Sequence, residues 1–497
     1  MNSKPNAEPL AGDTTSTTTK RTAATITTTT TPRPYYLYGK QFFNESTTSA
    51  ISNVSSHQDS WLLVDPMTHP FRNHDSLLLE YTTITNRSGS QEHEHAHVED
   101  HYILINILGR HSRYVQAMDL LTGKQWEHRI INDDNHNKDP AGMPLNDLNH
   151  IQTVLVDSEQ VQVDPSSAST GTQNSTTGSI KKEIWLPCGF QGDEVDVETA
   201  IHYARIVDLE TLEIRTGPQL PYPGGACVAL PMIILKNEPP MICSFAGTNG
   251  THDSGQFMPY TTCYDRRHQK FWFPFGKLPV GLDHGSISYI PKGTCHETDP
   301  AKLILLNFRT EAYGVARPEM LGFDIPTNGW TLDELQSGRY GMEEPGQWYL
   351  YANIPYATIN EDPQDFRLNA PRDASGTVTA NKGRNILNFG GVYHPPHKPG
   401  KRRSIRFSVV RSFDVCLPDK RWSLVGTNLQ FPTYSVQTVA SQKLQLAFTC
   451  GGILPYGKGR NIPWCTVNRF ANSNYTMENR HASPAMTGYS NDFWRDN

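Results

Sequence analysis

The feature that most constrains the fold of this 497-residue chain is a short unit that recurs along most of its length. The stretch VDLETLEIRTGPQLPYPGG, residues 207–225, contains a strand, a tight turn starting at Asp208, a second strand and a Pro/Gly-rich exit. Asp or Asn at a strand end starts such a turn because its side chain accepts a hydrogen bond from the backbone two residues on. The pattern, completed by an aromatic or apolar residue after the turn, recurs at Asp65, Asp119, Asp208, Asp265, Asp324, Asp414 and, in a degenerate copy, Asn468.

A second element precedes most of these anchors: a short apolar strand that ends in glycine, as in MICSFAG, ILNFGG and LAFTCGG. A third strand lies between successive anchors, as in PGGACVAL and LDHGSISYI. Together they form a four-stranded unit of about 50 residues that occurs about seven times, whereas helical periodicity is nearly absent. Radial repetition of such sheets predicts an all-β propeller of seven blades, with six as the alternative. A β-sandwich is disfavoured because it has no such higher period.

These motifs resemble the kelch-repeat β-propeller family, whose members include the central domain of galactose-oxidase-like enzymes. In that family a strand ends in a glycine pair, the next ends in an aromatic residue and Asp, and Trp follows the turn. The best matches are Gly390, Gly391, Phe413, Asp414 and Trp422, and then Gly247, Tyr264, Asp265 and Trp272. The resemblance implies a single kelch-type β-propeller over residues 34–490, closed by pairing of the C-terminal segment with the N-terminal blade. Blades that lack the glycines or the Asp leave the count between six and seven.

Outside the repeats, the chain contains polar, low-complexity segments. Residues 1–33 are Thr-rich and predict a disordered tail, and residues 491–497 form a short C-terminal tail. Residues 164–180 and 359–383 lengthen two of the intervals and are interpreted as insertions. Almost all other sequence is assigned to blades, so a monomeric propeller is expected.

Charge and hydropathy exclude several classes of partner. The net charge is −6, which gives no electrostatic basis for nucleic-acid binding. No apolar run is long enough to predict a membrane span, and the N-terminus has no hydrophobic signal segment. A soluble intracellular protein is the default expectation, while six N-glycosylation sequons leave secretion open.

The eight cysteines show no zinc-binding spacing. Cys243 and Cys263 flank one predicted hairpin, and Cys450 and Cys465 flank another. Each pair has two interpretations, a cross-strand disulfide or two buried thiols, and buried thiols are the simpler one.

The family's strand order places recognition on one face. With the strands of a blade labelled a to d from the axis outwards, the b–c and d–a loops share one face, which we call the b–c/d–a face. Long loops on a rigid scaffold commonly carry recognition, so this face predicts the binding surface for a protein or glycan partner. Its candidate residues are Tyr393, His394, His397, Lys401, Arg402, Arg403, Tyr456, Lys458 and Arg460. The basic members would attract acidic groups, phosphate or a sulfated sugar.

Two further groups contain imidazoles. Asp283 and His284 open an inner strand and are candidate binding residues, with a structural hydrogen bond or a catalytic carboxylate–imidazole pair as interpretations. The run QEHEHAHVEDH alternates His93, His95 and His97, a speculative zinc or copper site interpreted as a d–a loop.

An enzymatic alternative follows from the resemblance. A galactose-oxidase-like copper enzyme, or another carbohydrate-active propeller, would use copper or zinc near the axis. The adjacent Tyr393 and His394 are similar to a ligand pair of that kind, but no Tyr–Cys partner can be assigned. No catalytic residue or resident cofactor is otherwise expected, since the common enzyme motifs are missing. A binding propeller is the leading hypothesis.

Overall fold

The computed structural model describes most of the chain between residues 36 and 469. The described ranges are 36–37, 40–41, 62–63, 72–85, 97–110, 112–120, 125–129, 138–145, 147–157, 182–192, 198–209, 211–252, 254–311, 314–339, 341–395, 404–425, 429, 432–453, 461–462 and 465–469. For the strand residues among 36–63, and for 81–85, 97–100, 125–129, 157 and 469, the backbone alone is described. Within these ranges no helix has the length and apolar character needed to cross a bilayer.

The described strands form six antiparallel blade sheets around one axis and two short two-stranded hairpins, so the protein is an all-β, six-bladed propeller. Three short strands near the N-terminus are β1 (Tyr36–Leu37), β2 (Lys40–Gln41) and β3 (Leu62–Leu63). Blade I contains β4 (Asp75–Thr85), β5 (His97–Ile107), β6 (Tyr114–Asp119) and β7 (Gln125–Arg129). Blade II contains β8 (Leu148–Asp157), β9 (Lys182–Gln191), β10 (Thr199–Asp208) and β11 (Ile214–Gly224).

Blades III and IV follow the same order from the axis outwards. Blade III contains β12 (Val228–Met232), β13 (Met241–Phe245), β16 (Thr261–Asp265) and β17 (Lys270–Trp272), with the hairpin β14 (Thr248–Asn249) and β15 (Gln256–Phe257) in its b–c loop. Blade IV contains β18 (Ser286–Ile290), β19 (Lys302–Leu306), β20 (Glu319–Asp324) and β21 (Tyr349–Asn353). Helix α1 (Leu332–Gln336) lies in its c–d connection.

Blades V and VI complete the ring. Blade V contains β22 (Gly376–Ala380), β23 (Asn385–Phe389), β26 (Val410–Asp414) and β27 (Trp422–Leu424), with the hairpin β24 (Val392–Tyr393) and β25 (Ile405–Arg406) in its b–c loop. Helix α2 (Pro363–Asn369) precedes it, and a 3₁₀ turn (Asn381–Gly383) joins its first two strands. Blade VI contains β28 (Gln437–Ser441), β29 (Leu446–Cys450) and β30 (Cys465–Arg469).

Both ends of the chain build blade VI. Strand β3 pairs antiparallel with β30, with Leu62 opposite Val467 and Leu63 opposite Thr466, and β1 and β2 extend the same sheet outwards. The ring is therefore closed between residues 62–63 and 465–469. The segment NRHASPAMTGYSNDFW, residues 479–494, which was expected to make this closure, lies outside the described residues. Of the two counts that the sequence left open, the structure has six rather than seven. Two of the seven counted units, at Asp65 and Asn468, are the two parts of this one sheet.

The Asp anchors have the predicted position at the end of a third strand. Asp119, Asp208, Asp265, Asp324 and Asp414 are each the last residue of strand c. In blade III, Asp265 Oδ1 accepts hydrogen bonds from the Arg267 and His268 amides at 3.0 and 3.1 Å, and the Trp272 indole donates to Oδ2 at 3.3 Å. One carboxylate thus starts the turn and positions the aromatic residue of the outgoing strand.

The core lies between successive sheets, because the second and third strands are buried on both faces. Strand β19 reads KLILL, of which LILL is buried, and β29 is buried throughout. Between blades III and IV the aromatic rings of Phe275, Phe323 and Trp330 pack together, with Phe275 5.3 Å from Trp330. Burial of aromatic rings at this density is what holds neighbouring blades in contact.

The glycines after strand b allow the blades to approach one another closely. Gly109, Gly247, Gly391 and Gly452 all have φ between +97° and +114°. A Cβ on Gly247 would lie 2.8 Å from the Gly225 carbonyl oxygen. The amides of Gly109, Gly247 and Gly391 donate across to the next blade, for example from Gly391 to the Thr433 carbonyl at 2.8 Å. Glycine is required here by both conformation and space.

All eight cysteines form disulfides: Cys188–Cys227, Cys243–Cys263, Cys295–Cys416 and Cys450–Cys465. The interpretation of Cys243, Cys263, Cys450 and Cys465 as buried thiols is therefore wrong, because each pair faces across adjacent strands with Cα atoms 4.0 Å apart. The other two bonds, which the sequence analysis did not identify, join different blades, II to III and IV to V.

Residues 359–383 differ from the expected insertion. They include helix α2 and the whole inner strand β22, so blade V starts inside a segment that its polar composition disguised. Asp362 caps the helix by accepting from the Gln364 and Asp365 amides. The other expected insertion, 164–180, and both predicted tails lie outside the described residues.

Candidate functional site

The inner strands surround a central cavity of about 240 Å³. Every blade contributes to its lining, which is mostly amide, hydroxyl and imidazole in character. The polar lining residues include Asn73, Asp75, Ser76, His150, Gln152, Thr153, His284, Ser286, Thr377, Gln437 and Thr438. A cavity with this lining suits a small ligand rich in hydrogen-bonding groups.

One residue per blade, two positions before or at the start of strand a, has a left-handed backbone. The six are Asn73, His150, Ala226, His284, Ala374 and Ser435, with φ between +47° and +55°. Amides at three of these positions donate to carbonyls of the preceding blade: His150 to Asn73 at 2.7 Å, His284 to Ala226 at 3.2 Å and Ser435 to Ala374 at 2.7 Å. This ring of residues defines the mouth of the cavity on the b–c/d–a face.

Three histidines meet at this mouth. His150 and His284 belong to the left-handed positions of blades II and IV, and His252 comes from the b–c loop of blade III between them. One ring nitrogen from each lies within 4.8 Å of the others. The His150 ring stacks on His252 at 4.7 Å and meets His284 edge-on at 5.0 Å. Ala226, the left-handed residue of the intervening blade III, carries only a methyl group at this point.

Side-chain oxygens lie against the Nδ1 atoms of two of these rings. His150 Nδ1 lies 2.6 Å from Asn149 Oδ1, and His284 Nδ1 lies 2.9 Å from Asp283 Oδ2. With its proton on Nδ1, the His150 ring donates to Asn149 and keeps a lone pair on Nε2. His284 Nδ1 also lies 2.7 Å from Arg309 Nη2, which can only donate, so its nitrogen faces both an acceptor and a donor. Burial, together with the neighbouring histidines and arginines, holds the pKa of His150 well below its usual value. His150 is therefore neutral at physiological pH.

A buried ion-pair network supports the histidines. Asp283 accepts two hydrogen bonds from Arg309, each of 3.0 Å, and one from Thr248 Oγ1 at 3.1 Å. The Asp283 and Arg309 backbones also exchange two hydrogen bonds of 3.1 Å. Although burial opposes ionisation, Arg309 and His284 hold the pKa of Asp283 well below its usual value. The network continues to blade V through Asp373, 3.4 Å from Arg309 Nε.

A second ion pair closes the other side of the mouth. Arg110 of blade I contacts the fully buried carboxylate of Glu198 in blade II. The Glu198 carboxylate lies 4.0 Å from His150 Nδ1. The backbone carbonyl of Glu198 accepts a hydrogen bond from the His252 amide at 3.2 Å. Burial and the charge of Arg110 lower the pKa of nearby Arg72. Residues of blades I to V are therefore held together around one opening.

Several residues predicted for this site have a different environment. Tyr393 is buried in an apolar cluster, edge-on to Phe366 at 5.1 Å, and this burial raises its pKa. His394 is partly buried, 3.8 Å from Asp373 and 3.1 Å from Ser404 Oγ. Asp283 and His284 lie at the cavity mouth, as the face assignment predicts. The remaining candidates, His397, Lys401, Arg402, Arg403, Tyr456, Lys458 and Arg460, lie outside the described residues.

Of His93, His95 and His97, the structure describes only the backbone of His97. Strands β4 and β5 form a hairpin of blade I, and His97 is the first residue of its second strand. His97 therefore starts strand b of blade I, rather than lying in a d–a loop as the sequence suggested. His93 and His95 lie outside the described residues. The strand of blade I was misassigned because β4 follows an anchor that belongs to blade VI.

The sequence analysis identified one of the three clustered histidines. His284 was identified through its acidic neighbour, whereas His150 and His252 were missed. The signal for His150 is its place in LNHIQ, which aligns with LDHGS at the start of the inner strand. His252 has no comparable signal, because its position depends on the path of a b–c loop.

The Tyr–Cys crosslink of a galactose-oxidase-like centre has no cysteine to form it. All eight cysteines are in disulfides, and Tyr393 is packed in the apolar cluster. The three imidazoles that converge at the cavity mouth belong to His150, His252 and His284. Tyr393 and His394 therefore no longer support the copper-enzyme alternative.

Comparison with known proteins yields structural likeness alone. No family model matches the chain, and no curated protein matches it. Solved structures do match, 189 chains in number. One of them, described as the structure of YjhT, is similar over 82% of this chain and 98% of its own, with 9% sequence identity and a TM-score of 0.49.

Proposed function

We propose that this protein is a binding propeller that recognises a glycan through the b–c/d–a face, with a terminal sugar inserted in the central cavity. The observation that supports this proposal is the cavity itself, of about 240 Å³ and lined by amides, hydroxyls and imidazoles from five of the six blades. Such groups match the dense hydroxyls of a sugar, and a rigid ring presents them without a large ordering cost.

The site is held rigid, which favours binding. Mutual backbone hydrogen bonds join Gly225 to Thr248, Asp283 to Arg309 and Asp373 to Val392, each joining a d–a loop to the b–c loop of the following blade. Ion pairs between blades then connect these loops into one frame. Pre-organised groups of this kind contribute more to affinity than groups that must be ordered on binding.

We also propose that the propeller is of kelch type and strongly diverged. Its support is the backbone of the glycine pairs: Gly390 and Gly451 are left-handed, and the glycine after each has φ near +100°. In other blades Leu108, Ala246 and Asn307 take the first of these conformations without being glycine. Such substitution would remove the sequence signal while the backbone geometry persists.

A glycan array tests the binding proposal. Gln152→Ala and Gln437→Ala shorten two cavity-lining side chains, and Gln442→Ala, in the a–b turn of blade VI on the opposite face, is the matched control. We expect each cavity variant to weaken binding of the selected glycan at least about tenfold. The control should bind as the unaltered protein does.

Two results would contradict the glycan proposal. One is retention of full affinity by both cavity variants, which would place recognition elsewhere. The other is a protein partner, captured by the propeller, whose affinity is insensitive to Gln152→Ala and Gln437→Ala but falls on Arg402→Glu with Arg403→Glu. That result would favour a protein-binding function of the blade V loop.

A further inference from the structure

We propose that His150, His252 and His284 bind a divalent transition-metal ion, Zn²⁺, at the mouth of the cavity. Within the part of the chain that the structure describes, these residues form the one group of three or more His, Cys, Asp or Glu side chains with metal-binding proximity. Neutral imidazole suits zinc, and three protein ligands leave a fourth position open. This inference does not depend on the glycan proposal.

The surroundings of the rings support ligation. Metal-bound histidines commonly donate their other ring N–H to a carboxylate or carbonyl oxygen, which fixes ring orientation. His150 has Asn149 Oδ1 at 2.6 Å from Nδ1, and His284 has Asp283 Oδ2 at 2.9 Å. His150 thus has the arrangement that leaves Nε2 available for the ion, and His284 Nδ1 is held between Asp283 Oδ2 and Arg309 Nη2, which fixes the orientation of its ring.

The distances fit an ion-free site that contracts on binding. Nitrogens around a tetrahedral zinc ion lie about 3.3 Å apart, because each Zn–N bond is about 2.0–2.1 Å. The ring nitrogens lie within 4.8 Å of one another, so no pair must close by more than about 1.5 Å. His252 is on a loop, and a rotation of its side chain supplies this movement. His150 lies in the inner strand of blade II, and His284 lies two residues before the inner strand of blade IV.

The charged side chains around the rings are already paired with one another before any ion binds. Arg110 is paired with Glu198, and Arg309 is paired with Asp283 and Asp373. An ion bound by three neutral imidazoles would keep its charge of +2 and direct its open position to the cavity, which both His150 and His284 line. A ligand oxygen or a water molecule is the expected fourth partner.

Metal analysis of the full chain tests the proposal. The protein is stripped with a chelator in thiol-free buffer, dialysed, and titrated with Zn²⁺ alone, and Co²⁺ is used as a spectroscopic probe. We expect one tightly bound zinc per chain, and a visible cobalt spectrum of tetrahedral character. His252→Gln and His284→Gln should each weaken that site at least about 100-fold, since each removes one direct ligand.

Two controls separate this site from other histidines. His268→Gln alters an exposed imidazole in the c–d turn of blade III and should leave zinc binding unchanged. The combined change His93→Gln, His95→Gln and His97→Gln removes the other histidine-rich stretch of the sequence and should leave the tightly bound zinc ion in place. Thermal unfolding in the presence of chelator checks folding. Under that condition His252→Gln and His284→Gln should unfold at the same temperature as the unaltered protein, and added zinc should stabilise neither variant.

The proposal is overturned by any of three results. The unaltered protein binds no zinc, or the tightly bound zinc ion remains in both His252→Gln and His284→Gln. Alternatively, the tightly bound zinc ion is lost in the variant changed at residues 93, 95 and 97, which would assign zinc binding to those residues.

Discussion

His74 and Asp75, at the entrance of the inner strand of blade I, are two adjacent buried groups whose pKa values move in opposite directions. Burial lowers the pKa of His74 from 6.5 to about 3 and raises that of Asp75 from 3.8 to about 7. Both side chains are therefore neutral in the folded protein at mildly acidic pH. In the unfolded chain both would be charged, so folding takes up one proton and releases one.

These shifts predict opposing pH dependences that cancel in the unaltered protein. The His74 contribution to stability is lost as pH falls below 6.5, and the Asp75 contribution is lost as pH rises above 3.8. Relative to the unaltered protein, Asp75→Asn should make stability rise with pH by about 1.4 kcal/mol per unit in this window, and His74→Gln should make it fall equally. Urea unfolding at several pH values measures the slope of stability against pH in each variant. Slopes of the same sign in the two variants would contradict the opposite pKa shifts of His74 and Asp75.

Single residues were predictable where their role is local. The Asp anchors were found because an Asp that starts a turn acts on its own neighbours, as Asp265 does with the Arg267 and His268 amides. His150 and His252 were not, because they meet only after blades II and III are side by side. Tyr393 was assigned to a binding surface because its burial under helix α2 depends on a segment that reads as low complexity.

At the scale of single elements, the turn after strand b is the part least tolerant of change. Gly391 has φ +97°, and a Cβ there would lie 2.8 Å from Ser375 Cβ and 3.0 Å from Arg372 Cβ. Gly338 also has positive φ, but nothing lies within 4 Å of its would-be Cβ. Comparing the two isolates steric crowding from backbone strain.

We expect Gly391→Ala to destabilise the protein by about 1–3 kcal/mol more than Gly338→Ala, because overpacking adds to the left-handed strain that both share. Denaturant unfolding of the two variants checks the difference. Equal losses would mean that conformation alone requires glycine at residue 391.

Arg411 connects strand β26 to helix α2 and to blade IV. Its guanidinium donates to the Leu368 and Ala370 carbonyls at 2.8 and 2.9 Å and to Asn388 Oδ1 at 2.9 Å, while lying over the Trp422 ring. Arg411→Met would leave these buried acceptors without a donor.

The loss expected for Arg411→Met is about 3 kcal/mol, because each unsatisfied buried carbonyl costs about 1–3 kcal/mol. The control is Arg421→Met on the surface of the same blade, which should change stability by less than about 0.5 kcal/mol. A small effect at Arg411 in urea unfolding would show that water replaces the guanidinium.

For the whole molecule, the sequence predicted a closed ring of repeated sheets but counted one sheet too many. The count failed because strands β3 and β30 contribute to the same blade while lying at opposite ends of the chain. No local pattern distinguishes two parts of one sheet from two separate repeats.

Closure through blade VI predicts a specific effect of truncation. Deleting residues 1–63 removes β1, β2 and β3 and exposes the edge of β30, whose backbone groups lose their partners. We expect a lower unfolding temperature and self-association, because bare edges pair with other chains. Deleting residues 1–35 is the control and should change neither the melting curve nor the elution volume; sensitivity to this shorter deletion would contradict the assignment.

The length of chain that each disulfide closes predicts how much that disulfide contributes to the free energy of unfolding. Cys295–Cys416 closes a 121-residue span between blades IV and V, and Cys450–Cys465 closes 15 residues within one blade. Chain entropy predicts a loss of about 5 kcal/mol for Cys295→Ser with Cys416→Ser, against about 3 kcal/mol for Cys450→Ser with Cys465→Ser. Thermal unfolding compares them, and a thiol assay on denatured protein should find none free. Such bonds persist in oxidising compartments, which favours a secretory location.

The pairing of Leu62 with Val467 also has a consequence for biosynthesis. Roughly 400 residues must leave the ribosome between these two partners, which at about 5–20 residues per second takes on the order of 20–80 s. Throughout that interval the nascent chain carries an incomplete sixth sheet. A chaperone that shields β3 during translation would therefore improve the yield of native protein more than one added after release.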